Sequence, residues 1–151
     1  MTSIDKIFPD YYKRFKLPIG AHEESIKVYR ACRSGKCDKD SFLTTFEENG
    51  FLVEDGVDTT DPSNYSMSTY ENPKDVKRFA KLNSDMQVPY RIAIGYTNPI
   101  HGLVQRAREK NKKSKSSHVD WWLYKNATPW IEFNLIHDFD NYLIRYKERI
   151  K

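Results

Sequence analysis

The chain has 151 residues, a formal net charge of +4 and a mean hydropathy of −0.78. That length fits one domain with its own core, and no apolar run approaches the roughly 18 residues of a membrane helix. Three Trp, ten Tyr and eight Phe bury much area from few positions, which excludes disorder over most of the chain.

Ile4, Ile7, Phe8, Tyr11, Tyr12 and Phe15 fall on one helical face, and Pro9 breaks that helix or starts it. Leu17-Pro18-Ile19-Gly20 ends the element. Residues 25–32 alternate as a strand, with Ile26, Val28 and Tyr29 suited to it, and Arg33-Ser34-Gly35-Lys36 turns the chain. Asp38 or Asp40 caps a helix through Glu48, with Phe42, Leu43 and Phe46 inward and Gly50 as its stop. The acidic, Thr/Asp/Pro-rich stretch 54–64 reads as a loop.

A short strand over 65–69 then leads into a clearly marked helix: Asn72 as cap, Pro73 at the first position and Asp75 in the first turn. Val76, Phe79 and Ala80 form its buried side. Residues 90–96 read as a buried strand and Leu103-Val104 as a short one. Between 105 and 117, Arg106, Arg108, Lys110, Lys112, Lys113 and Lys115 face a single acid, Glu109, so the rest of the chain is nearly neutral. This stretch reads as a basic, flexible loop able to touch phosphates. Residues 118–124 and 130–136 follow as two strands, forming a hairpin around Lys125-Asn126-Ala127-Thr128-Pro129. Their rings, Trp121, Trp122, Tyr124, Trp130 and Phe133, are hairpin core or a stacking platform for a base. Asp138 caps a last helix through Phe139, Tyr142, Leu143, Tyr146 and Ile150. The order predicts one α+β domain over 1–151, mostly antiparallel, with peripheral helices.

Cys32, Cys37 and the nearest histidine, His22, fall short of the four ligands a zinc site needs. No metal is expected, and both cysteines read as reduced thiols. The opening Met1-Thr2-Ser3-Ile4-Asp5-Lys6 has no basic region followed by an apolar stretch, so cytoplasmic residence is the expectation.

Three segments bear on chemistry. Tyr29-Arg30 ends the first strand, Ser66-Met67-Ser68-Thr69 ends the second before a helix with Phe79-Ala80, and His118-Val119-Asp120 opens a third strand after the basic loop. In this order, over about residues 28–122, the chain resembles the mono-ADP-ribosyltransferase fold. That resemblance implies a split sheet with NAD as substrate, and a macromolecular acceptor, protein or nucleic acid, in a toxin or phage-conflict setting. It implies Arg30 on the diphosphate, with Ser66, Ser68, Thr69 and His118 around the cofactor. Ser68 and Asp120 would be the catalytic pair, the acid stabilising positive charge that develops on the ribose. Where the family carries a glutamate, this chain offers Asp120, one methylene shorter; Glu132 lies on the next predicted strand.

Other roles stay open for the same residues. Arg30 can pair with Glu23 or Glu24, the hydroxyls can cap the helix at Asn72 or bond loop backbone, and Asp120 can sit on the exposed face of a strand. A second class of function also stays open, a non-enzymatic module that grips nucleic acid or a protein partner with the Lys-rich loop and the aromatic hairpin.

Overall fold

The computed structural model describes residues 6–53, 55–83 and 90–149; Ile4, Glu54 and Ile150 lie outside them. The elements in chain order are β1 (Lys27–Cys32), α1 (Thr45–Glu48), β2 (Met67–Tyr70), α2 (Pro73–Asn83), β3 (Arg91–Tyr96), β4 (Gly102–Arg106), α3 (Ala107–Lys110), β5 (His118–Leu123), β6 (Asn134–Leu135) and α4 (Phe139–Arg149). Every strand pairing is antiparallel, and the six strands run β4-β5-β2-β1-β3-β6 in one α+β sheet. Among the described residues the expected split is therefore not found, but the middle of the sheet is thin. β1 pairs with β3 all along, from Lys27↔Tyr96 to Cys32↔Arg91, whereas it meets β2 only at Tyr29↔Tyr70.

Side chains alternate across a strand, so the register assigns the faces. One face buries Val28, Cys32, Met67, Val104, Val119, Trp121 and Phe133 in one core. The opposite face is covered in two pieces. Tyr29, Ala31 and Ile92 pack with Val76 and Ala80 of α2 and against Phe139 and Tyr142 of α4. At its other end Trp122 packs with Tyr12, Phe15, Phe46 and Tyr65. Between these apolar pieces the same face carries Ser68 opposite Asp120 and Tyr70 opposite His118.

α2 forms as its local signals dictate: Asn72 Oδ1 accepts from the Lys74 amide at 2.9 Å and Pro73 takes the first position, where no amide hydrogen is needed. α4 likewise starts at Asp138, whose carboxylate accepts from the Asn141 amide at 3.1 Å. Three expectations need correction. The N-terminal helix is only a 3-10 turn, Asp10–Arg14, and Ile7 is exposed. The helix expected over 38–48 is broken into a 3-10 turn, Lys39–Ser41, and α1. Arg30 takes the carbonyls of Ser41 and Leu43 that a continuous helix would keep for itself. Thr44 then opens a new capping box with Glu47.

The hairpin of 118–124 with 130–136 does not form, because β2 and β4 occupy both edges of β5. Pro129 instead begins a 3-10 turn, Pro129–Glu132, and β6 pairs with β3 at the far edge of the sheet. No helix among the described residues is long and apolar enough to cross a membrane.

Candidate functional site

β2 and β5 bring four of the six residues singled out by sequence into one cluster. Ser66 donates to Asp120 Oδ1 at 2.6 Å, and the Lys110 ammonium pairs with Asp120 Oδ2. His118 Nε2 lies 2.9 Å from Ser68 Oγ, and His118 Nδ1 lies 3.8 Å from Asp120 Oδ1. Asp120 is buried, correcting the exposed-face alternative, while Ser68 and His118 remain partly open. Burial holds the His118 imidazole below the ordinary histidine value, Asp120 opposes that shift, and Lys110 and Arg30 add to it.

The other two residues are placed differently. Thr69 belongs to the opposite face and donates to the Val119 carbonyl at 3.0 Å. Arg30 reaches the cluster only through backbone: Nη1 donates to the Ser68 carbonyl at 2.9 Å, Nε to Ser41 at 2.9 Å and Nη2 to Leu43 at 3.3 Å. Its acid is Glu48, at 3.6 Å, and not Glu23 or Glu24. Those two carboxylates are engaged elsewhere, with Lys6 and with Arg106 and His22. The guanidinium is 2% exposed and its fork is filled, so nothing in this geometry offers it to a diphosphate. Nor do the hydroxyls cap α2, whose cap is the Asn72 side chain.

The basic stretch 105–117 is largely tied down. Its first residues complete β4 and α3. Arg106 forks onto Glu24 at 2.9 and 2.6 Å and reaches Glu71 at 3.2 Å, where Arg108 joins it at 3.2 Å. Arg106, helped by His22, drives the Glu24 carboxyl down to about 2. At the far end of the stretch, Ser117 donates through both its amide and its hydroxyl to Asp75, at 3.1 and 2.7 Å. Its hydroxyl also accepts from the Asn72 amide at 3.0 Å. This clamp lays the end of the basic segment against the first turn of α2.

Three lysines of the segment, Lys112, Lys113 and Lys115, have no acid partner among the described residues. On α2, Lys74, Arg78 and Lys81 stand at the i, i+4, i+7 spacing of a single helical stripe and likewise have no acid partner among the described residues. Where stripe and segment meet, a cavity of about 330 Å³ is lined by Tyr70, Phe79, Arg78 and Lys115 together with Asp75, Leu82 and Ser116. The rings expected to stack a base lie elsewhere: Trp121, Trp122, Tyr124 and Phe133 are buried, and Trp130 is half-buried against the core.

Sequence reasoning missed both Lys110 as the partner of Asp120 and this cavity. Nothing local distinguishes Lys110 among six cations, but the α2 stripe was readable from its spacing. The described residues hold no group of three or more His, Cys, Asp or Glu arranged for a metal ion. Burial raises both thiols, Cys32 to about 12, so both stay protonated. No protein-family model, curated protein or solved structure matches the chain.

Proposed function

We propose that the protein binds single-stranded nucleic acid across α2 and the segment that Ser117 fastens to it. The observation that carries this is the cavity in which Tyr70 and Phe79 meet Arg78 and Lys115. Rings give a base a face on which to stack, worth about 1–3 kcal/mol per base, and unpaired cations beside them take the flanking phosphates. The stripe Lys74, Arg78 and Lys81 extends the positive track by about 10 Å, seven residues at 1.5 Å each. A single strand fits better than a duplex, since only an unstacked base can enter between side chains.

Fluorescence anisotropy with short labelled oligonucleotides tests this at one fixed salt concentration. Arg78→Ala combined with Lys115→Ala should weaken binding by at least about tenfold. Lys125→Ala, beyond the opposite end of β5, should leave it unchanged. Equal losses at both places would reduce the effect to net charge and reject the surface.

A second function is favoured by one observation, the meeting of Ser66, Ser68, His118 and Asp120 on one sheet face. It is NAD-dependent transfer of ADP-ribose to a macromolecular acceptor, with Asp120 as the acid and with phosphate contacts drawn from Lys115 in place of Arg30. Incubation with labelled NAD and cell lysate decides it: transferred label that Asp120→Asn abolishes supports it, and no label with no nicotinamide release rejects it.

A further inference from the structure

We infer that Ser68, His118 and Asp120 form a nucleophile–base–orienter relay competent for acyl transfer from a small ester. The three stand in the order such chemistry requires. Ser68 Oγ and His118 Nε2 are at hydrogen-bonding distance, 2.9 Å, and the other ring nitrogen faces Asp120 Oδ1 at 3.8 Å. Strand register builds this arrangement. Ser68 is the direct cross-strand partner of Asp120, and His118 precedes that acid by two residues, so all three side chains share one face.

Each member has the exposure its role demands. Asp120, 1% exposed, is fixed by Ser66 and Lys110 and acts as a positioning residue. His118 and Ser68 are partly open, so a substrate can reach them. Burial favours the neutral imidazole that a base must be. The cations whose charge acts on the ring are Lys110 from α3 and Arg30 from β1. Of these, Lys110 alone has solvent access, and its ammonium is held by Asp120.

In the reaction Ser68 Oγ bonds to the acyl carbon while its proton passes to His118 Nε2. The same nitrogen then protonates the departing alkoxide, and water hydrolyses the acyl-serine by the reverse shuttle. Tyr70 indicates the substrate class. Its ring lies 5.3 Å from the His118 ring and also lines the cavity beside Arg78 and Lys115. An ester bearing an aromatic or anionic group suits that neighbour.

A fluorophosphonate probe tests the relay: Ser68 Oγ forms a bond to phosphorus, the P–F bond breaks and fluoride leaves. Mass spectrometry should find the adduct on Ser68 in the wild type and none in Ser68→Ala. His118→Ala should label more slowly by on the order of 10²-fold, and added imidazole should restore the rate. Circular dichroism melts establish that each variant is folded, with His118→Gln replacing the alanine variant if that one is not. No adduct on the folded wild type, an adduct surviving in Ser68→Ala, or a histidine variant labelled at the wild-type rate or unrescued by imidazole would each overturn the relay. The assay contains no nucleic acid, so its failure leaves the binding proposal standing.

Discussion

A guanidinium that is 2% exposed has given up its hydration, and Arg30 recovers the loss through the Ser41, Leu43 and Ser68 carbonyls and through Glu48. Hydrogen bonds to a charged donor contribute about 1.5–3 kcal/mol each, and a buried acceptor left unpaired is costly. Arg30→Met should therefore lose about 3 kcal/mol or more in urea unfolding; a loss under about 1 kcal/mol would mean the carbonyls find other donors. The histidines give a second check at this scale. Burial holds His118 and His101 below the ordinary value, near 6.5, whereas the Gly20 carbonyl and then Glu24 hold His22 above it. The signs are opposite. The fold favours neutral His118 and His101, so their contribution is complete above about pH 6.5 and is lost as the pH falls below it. That of His22 is complete below about pH 6.5 and is lost as the pH rises through its elevated value. Ring resonances followed by NMR should show His22 titrating after His118 and His101 as acid is neutralised, and a His118 midpoint above that of His22 would contradict the assignment.

α1 is a helix of four residues, Thr45–Glu48, held at its start by the reciprocal bonds of Thr44 and Glu47, at 3.3 and 3.0 Å. Thr44→Ala should cost about 1 kcal/mol in thermal or urea unfolding, and a neutral substitution would show that the cap is dispensable. Elements of this kind divide what sequence can and cannot reveal. α2 was legible because Asn72, Pro73 and Asp75 act within one turn, and β1 and β3 because their apolar runs need no knowledge of partners. The break at 42–44 was not legible, since it depends on Arg30 reaching across from β1 for two carbonyls. The hairpin failed for a similar reason. Residues 130–136 have strand composition, but whether the edge of β5 is free depends on β2 and β4, which lie far away in the chain. The cluster was half legible: Ser68, His118 and Asp120 were singled out through a family resemblance, whereas their register, the burial of Arg30 and the choice of Lys110 are properties of the folded sheet.

Along the basic segment and α2 the cations divide into those with an acid partner and those without. Arg106, Arg108 and Lys110 are spent on Glu24, Glu71 and Asp120 and fasten β4 and α3 to the sheet. Lys74, Arg78, Lys81, Lys112, Lys113 and Lys115 have no acid partner among the described residues, and two of them, Arg78 and Lys115, line the Tyr70–Phe79 cavity. Arg78 and Lys115 thus stand beside two rings, an arrangement suited to a single-stranded polyanion. The dependence of binding on salt measures it most directly, because each phosphate neutralised on a single strand adds about −0.7 to the slope of log K against log salt. With four to six of these cations engaged, the slope should be roughly −3 to −4, and Arg78→Ala with Lys115→Ala should make it shallower by about 1.4. A slope near zero, or one that the double substitution leaves unchanged, would contradict the assignment of this surface to nucleic acid.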